Sequence, residues 1–145
     1  MTIRALESRD VEAILAIQAA CPEIAPWTAW DYDRVARGEM AGWVAEEEAE
    51  LAGFLVARRL SSELEILNFA VESEWRRCGI GAALLAEALQ WAQTFQATQA
   101  ILEVRASNLS ALRFYERNKF EVVGRRPRYY TAPVEDALLL TATLA

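Results

Sequence analysis

The stretch from Glu63 to Ala106 limits the possible folds most. An apolar run, "ELEILNFAVE", leads into "SEWRRCGIGAALL", and a second apolar run, "QAILEVRA", begins at Gln99. The outer runs read as strands. Between them a helix from about Gly81 to Gln93 places Leu84, Leu85, Ala88, Leu89 and Ala92 on one face. Strand, helix and strand in this order imply a parallel pair joined by a right-handed crossover.

The remaining segments fit around that unit. "TIRAL" (2–6) reads as a first strand. Ser8 is the expected cap of a helix in which Val11, Ile14, Leu15 and Gln18 fall near one face. "CPEIAPW" interrupts it with two prolines; Thr28 then caps a second short helix, with Gly38 just past its end. "AGWVAEE", "LAGFLVARRL" and "SELEILNFAVE" are three strands close enough in sequence to pair antiparallel. The acidic "EEEAE" between the first two reads as a solvated hairpin turn rather than a metal or substrate site. After the crossover, Asn108 or Ser107 caps a helix carrying Leu109, Leu112, Phe114 and Tyr115 and ending near Asn118; "KFEVVGRRPRYY" and "DALLLTATL" close the chain as two strands. The expected class is mixed α/β (α+β): one sheet of about seven strands, mostly antiparallel, with about four helices, in a single domain over 1–145.

Composition narrows the chemistry. A net charge of −6 argues against nucleic acid, which needs a basic face. It suits a cationic substrate as readily as it suits simple solubility. No apolar run is long enough for a membrane helix, and no basic-then-apolar leader opens the sequence. Two cysteines, Cys21 and Cys78, make neither a disulfide framework nor a metal-ligand spacing, so a reducing cytoplasm and no metal are expected. There is no histidine, so proton transfer near neutral pH falls to a carboxylate, tyrosine, lysine, cysteine or water.

The glycine stretch has the properties of an anion site. A helix start carries unpaired N–H groups and a partial positive charge, and a phosphate satisfies both. Gly79 and Gly81 let main chain approach the oxygens, Ile80 between them faces the core, and Arg76 and Arg77 add charge at the rim. A tight turn with arginines in solvent is the alternative. The pattern is not a P-loop, lacking G-K-[ST], nor a dinucleotide fingerprint, lacking the third glycine. The second informative run is "LEVRASNLSALRFYERNKF". It sets Glu103 inside an apolar strand, where the charged form is disfavoured and the carboxylate is expected to shift toward a base's working range. Pairing with Arg105 or Arg113 is the alternative. Tyr115 follows about two turns after Asn108 on the next helix, and Asn108 most simply caps that helix.

Arg76-x-x-Gly79-x-Gly81 after an apolar strand resembles the R/Q-x-x-G-x-G/A motif of the GNAT acyltransferase superfamily, and the element order resembles the GNAT fold along nearly the whole chain. The resemblance implies acetyl-CoA as acyl donor. Its pyrophosphate would lie on residues 76–82, including the main chain of Ile80 and Ala82. The central strands would splay, and the main chain of Phe69 and Val71 would receive the pantetheine arm. "LEVRASN…A…FYE…F" resembles the RimI-type branch, the ribosomal-protein alanine N-acetyltransferases. That likeness implies Glu103 as base, Tyr115 as acid and Asn108 as an acetyl-CoA contact. It implies Tyr129 or Tyr130 in the last hairpin, and Trp27 of "PW", on the acceptor side. Lys119 stands where that branch often has glycine. Cys78, beside the pyrophosphate site, lies far from the thioester in this arrangement.

The expected reaction is amine attack on a thioester. At pH 7 roughly a tenth of an α-amine is neutral, against well under a thousandth of a lysine; the gap of about 2.4 pKa units is roughly 3 kcal/mol less deprotonation work. A protein N-terminus is therefore the expected acceptor. A small-molecule amine or lysine side chain, and a non-enzymatic acyl-CoA-binding module, are the rival readings.

Overall fold

The computed structural model describes residues 1–76 and 78–144. Its strands are β1 (Thr2–Ala5), β2 (Ala41–Glu47), β3 (Glu50–Leu60), β4 (Glu63–Val71), β5 (Gln99–Arg105), β6 (Glu121–Thr131) and β7 (Val134–Thr143). They form one sheet in the order β1-β2-β3-β4-β5-β7-β6, in which β4 and β5 are the parallel neighbours and every other pairing is antiparallel. The helices are α1 (Val11–Ala19), α2 (Ala29–Ala36), α3 (Ile80–Gln93) and α4 (Leu109–Arg117). The expected mixed sheet, helix count and crossover are all present.

The sheet is covered on both faces, which explains why β3 reads as one continuous apolar run. Leu55, Leu64, Ile80, Leu84, Leu85 and Leu140 make the core under α3. Ile14, Tyr32, Phe54 and Val56 make the core under α1 and α2. Alternation along β3 therefore sends Leu55 to one core and Phe54 and Val56 to the other. Each such side chain is fully buried and contributes about 1.5–3 kcal/mol through removal from water.

Local details differ from expectation in three places. Ser8 is not the cap of α1: Glu7 and Asp10 cap each other reciprocally around a 3-10 turn at Ser8–Asp10, and α1 begins at Val11. Asp10 is preferred there because Arg4 donates to both its oxygens at 2.8 Å. In α1 the buried positions are Ile14 and Ile17, while Gln18 turns toward Tyr32. Leu109, expected on the apolar face of α4, is exposed. The acidic stretch does form the β2–β3 turn, with Glu48 and Ala49 at φ 52° and 67°.

Lys119 has φ 71° and occupies the left-handed position that ends α4. Its N–H donates to Glu116 O at 3.1 Å and the N–H of Phe120 to Tyr115 O at 3.0 Å, the paired bonds of a Schellman cap. The Phe120 ring also packs on that of Tyr115, centroids 5.3 Å apart. The cap thus fixes Tyr115 through both main chain and side chain, despite the left-handed cost of a non-glycine.

Candidate active site

The site begins where two strands part. β4 and β5 pair only at Glu63↔Gln99, Leu64↔Ala100 and Glu65↔Ile101. Just beyond, β4 carries a bulge: Ala57 faces Ile66 and Val56 faces Asn68, so Leu67 is the extra residue. The strands then diverge, and two clefts open in the gap. One, of about 810 Å³, runs along the start of α3; the other, of about 290 Å³, lies between β4, β5 and the β6–β7 hairpin. They share Glu23, Ile24, Phe69, Asn108, Ala111 and Tyr115, so they are joined between α4 and the segment that precedes α2.

The larger cleft is lined by the start of α3 and the edge of β4, with Trp75, Arg76, Arg113, Phe114 and Arg117 around them. Gly79 caps α3 at φ 79°, a left-handed conformation that favours glycine. The first helical bond runs from Ala83 N–H to Gly79 O at 3.0 Å, which leaves the N–H groups of Ile80, Gly81 and Ala82 without a helical acceptor. Gly79, Gly81 and Ala82 all line the cleft. A Cβ on Gly81 would come within 3.2 Å of the Phe114 ring, so the bare residue lets α4 pack against α3 here. The Ile80 side chain is buried in the core, which restricts any ligand contact to its N–H. Arg76 folds back: Nε donates to Val71 O at 3.2 Å and Nη2 lies 3.5 Å from Cys21 Sγ. Arg77 lies outside the described residues. The exposed Cys78 Sγ is 3.7 Å from Arg76 O.

The exposed edge of β4 follows from alternation. Glu72 N–H donates to Ala52 O, toward β3, at 2.7 Å. The main-chain groups of Phe69 and Val71 consequently point the other way, into the gap that β5 has left. Phe69 and Val71 both line the larger cleft, Phe69 the smaller one also.

The smaller cleft is lined by side chains. Glu103 Oε1 is 3.6 Å from Arg126 Nε, so the partner is a residue of β6 and neither Arg105 nor Arg113. Glu103 Oε2 is buried without a hydrogen-bond partner among the described residues. Such an orphaned oxygen costs stability unless something else binds it. Glu23 and Glu65 add two more carboxylates to the wall, Glu65 held by Arg58 at 2.7 Å. Tyr115 is buried in an aromatic cluster with Phe69, Phe114 and Phe120, and burial pushes its phenol well above the ordinary value. It therefore stays protonated at neutral pH. Asn108 caps α4 by accepting from Ala111 N–H at 3.2 Å, as expected, and lines both clefts; Ser107 instead donates its N–H to Glu135 at 2.9 Å.

The β6–β7 hairpin closes this cleft with Tyr129 and Tyr130, whose rings meet edge to face at 5.1 Å. Burial, with the Glu103 charge second, pushes the Tyr130 phenol up to about 12. The Glu103 charge is the main cause of a rise at the Tyr129 phenol. Arg105 clamps the hairpin. It donates to Glu135 at 3.1 Å and to Pro133 O at 3.2 Å, and its guanidinium lies 4.3 Å from the Tyr130 ring centre.

Trp27 stands apart from this assembly. Its ring packs on Tyr32 at 5.4 Å, and it is the preceding residues Glu23, Ile24, Ala25 and Pro26 that line the cleft. The sequence reading missed Asn68, Glu65, Glu23 and the Arg105–Glu135 clamp. Asn68 did carry a signal, a lone amide in the apolar run "ILNFAV", of the kind that drew attention to Glu103.

A sheet splayed at a parallel pair, a glycine-capped helix bordering the gap, and an orphaned carboxylate and a buried tyrosine lining one cleft fit an acyltransferase architecture. The family model of the acetyltransferase (GNAT) family matches residues 8–120, and the chain belongs to that family. It is 31% identical to an N-alpha-acetyltransferase of Sulfurisphaera tokodaii, over 98% of this chain and 92% of the relative. It is 27% identical to the ribosomal protein bS18-alanine N-acetyltransferase of Escherichia coli K12, over 99% of this chain and 98% of the relative. Among solved structures, Ard1 from Thermoplasma volcanium superimposes with a TM-score of 0.89 at 28% identity, covering 99% of this chain and 97% of that one. The protein is a GNAT N-acetyltransferase.

Proposed function

We propose that the enzyme transfers the acetyl group of acetyl-CoA to a protein N-terminal α-amine, in one step within a ternary complex. The observation that carries this reading is the junction of the two clefts, where Glu103 Oε2 and Tyr115 belong to the same cavity. The larger cleft takes the donor. The N–H groups of Ile80, Gly81 and Ala82 hold its diphosphate, with the helix dipole behind them. Arg76 and Asn108, which line this cleft, complete the donor contacts. The edge of β4 at Phe69 and Val71 pairs with the pantetheine arm as an added strand would. The main chain near Val71 also stabilises the oxyanion as the carbonyl is attacked.

The smaller cleft takes the amine. Glu103 accepts a proton from the ammonium or attacking nitrogen, through water where the distance requires it. The nitrogen then forms the C–N bond as the C–S bond breaks. Tyr115 donates its proton to the departing sulfur and regains one from solvent through the cleft. A phenol raised by burial is a reluctant acid, but the same dry surroundings raise the sulfur's own demand for a proton. Tyr129 and Tyr130 flank the acceptor's first residues. The wall carboxylates Glu23, Glu65 and Glu103 favour a cationic acceptor. The names of the Escherichia coli and Sulfurisphaera relatives support a polypeptide N-terminus, and the former a ribosomal protein. The acidic charge of the chain and its reducing composition fit a cytoplasmic site.

The test is a panel of acceptors at fixed acetyl-CoA. Short peptides with a free N-terminal alanine or serine are expected to be acetylated. The same peptides blocked at the N-terminus but carrying lysine, and polyamines, are expected to react at least about tenfold more slowly, given the easier deprotonation of an α-amine. Preference for a blocked lysine peptide or a polyamine would overturn the N-terminal reading. Absence of turnover with every amine, together with tight acetyl-CoA binding, would leave only a binding module.

A further inference from the structure

The bulge at Leu67 sends Asn68 to the α1–α2 face of the sheet, away from the α3 core that Ile66 joins. Asn68 is only 4% exposed, and with Asp10 it makes up the buried polar residues among those described. Asp10 is explained by Arg4. Asn68 belongs to a different construction. Its Nδ2 donates to Tyr32 Oη at 2.9 Å and to Ala25 O at 3.2 Å. Tyr32 Oη donates in turn to Gln18 Oε1, and Gln18 Nε2 donates to Trp27 O at 2.8 Å.

Chemistry fixes the direction of this chain. Ala25 O and Trp27 O can only accept, so the amide nitrogens of Asn68 and Gln18 must face them. Flipping either amide would set oxygen against oxygen. Tyr32 can then serve both amides only by accepting from one and donating to the other. The chain begins on β4, passes through α2, and reaches α1. Its two ends grip carbonyls of the segment between α1 and α2, which has no strand or helix of its own and contains Pro22 and Pro26. That segment supplies Glu23, Ile24, Ala25 and Pro26 to the smaller cleft; Glu23 and Ile24 also border the larger one, whereas Ala25, which Asn68 holds directly, and Asn68 itself line the smaller alone.

We propose that Asn68 is a positioning residue for the acceptor: through Ala25 O and the Tyr32–Gln18 relay it holds residues 22–27 as the fixed wall against which the incoming amine is oriented. A buried, fully directed chain of this type costs stability where any member is unmatched, so it holds one loop conformation and disfavours others. The kinetic consequence rests on the transferase reading above; the anchoring itself does not.

The experiment compares wild type with Asn68→Ala and with Tyr32→Phe, the second keeping the aromatic core intact. Amide hydrogen exchange over residues 22–28 is measured beside steady-state kinetics with acetyl-CoA and a short peptide bearing a free N-terminal alanine. Both variants are expected to accelerate exchange in 22–28 and to raise the peptide KM about tenfold, the equivalent of one to two lost buried hydrogen bonds. The KM for acetyl-CoA is expected to stay within about twofold. The double variant is expected to be little worse than either single one, because both break the same relay. Unchanged exchange in 22–28 overturns the anchoring. Faster exchange with an unchanged peptide KM, or equal loss toward both substrates, overturns the positioning role. A wild-type enzyme that acetylates no amine defeats the proposed function and with it the acceptor role, whereas the exchange data still decide the anchor.

Discussion

Beside the arginines and aromatics of its rim, the larger cleft presents main chain at two places: three N–H groups at the start of α3 and the edge of β4 beyond Glu65, where Val71 O accepts from Arg76. The smaller cleft presents side chains held by other side chains: Glu103 facing Arg126, Tyr130 under Arg105, and loop 22–27 tied to Asn68. The first arrangement suits a donor that never changes, since main-chain geometry is insensitive to most substitutions. The second can be retuned by changing single residues, which suits an acceptor site that differs among enzymes with one shared donor. What joins them is Tyr115, held by the Schellman cap and the aromatic cluster at the seam.

If the two clefts divide the labour in this way, substitutions should separate by substrate. The largest effect belongs to the reacting groups. Glu103→Gln is expected to lower kcat by about 10²–10³-fold with acetyl-CoA affinity unchanged, the usual range for losing general-base catalysis. Equal activity in that variant would make Glu103 structural. Tyr115→Phe keeps the ring contacts and is expected to cost about 10²-fold in kcat with little change in either KM, read from the same saturation curves. On the donor side, Gly79→Val forces a branched residue into the left-handed region at a cost of about 1–3 kcal/mol. It is expected to weaken acetyl-CoA binding about tenfold by calorimetry. If it instead altered only the peptide KM, the division between clefts would fail.

Smaller effects sharpen the acceptor side. Arg105→Lys cannot keep the fork to Glu135 and the hairpin carbonyls, and is expected to raise the peptide KM about fivefold while leaving acetyl-CoA binding alone. The smallest expected change is a gain. Lys119→Gly should relieve the left-handed strain and add about 0.5–1 kcal/mol of stability, seen as a melting temperature a few degrees higher. The activity of that variant should be unaltered, since Tyr115 keeps its place.

Acid should act on two ion pairs, Arg4–Asp10 at the start of the chain and Arg105–Glu135 at the last hairpin. Burial works to raise the Asp10 carboxyl, but the Arg4 hydrogen bonds, the Glu7 N–H and the charges of Arg4 and Arg9 together outweigh this and hold it below the usual value. The Ser107 hydrogen bond is the main cause of a similar lowering at Glu135. Groups lowered in the folded state stabilise it fully above their unfolded pKa near 4, and that contribution is lost as pH falls through the lower folded value. Stability is therefore expected to decline below about pH 4. Asp10→Asn is expected to flatten that decline in denaturant titrations at several pH values.

The contrast between clefts also explains what the sequence revealed. Helix and strand order, the parallel crossover and the glycine start of α3 were legible, because periodicity and Gly79–Gly81 act locally. Thr28 was a readable cap, since Asp31 three residues on completes its capping box. Ser8 misled, because Arg4, on the strand just before, selects Asp10 instead through a side-chain pairing that capping patterns do not encode. The acceptor wall was mostly illegible. Gln18, Tyr32 and Asn68 lie far apart in the chain and meet only after a bulge at Leu67 re-aims one of them. The Arg126 partner of Glu103 likewise comes from a strand placed beyond β7, a neighbour relation that only the sheet order creates.

The most direct test is a crystal structure with acetyl-CoA bound. The account predicts the diphosphate within hydrogen-bonding distance of the N–H groups of Ile80, Gly81 and Ala82, the pantetheine arm along Phe69 and Val71, and the thioester between Tyr115 and Glu103. A donor bound in the smaller cleft, or a thioester lying out of reach of both side chains, would contradict it.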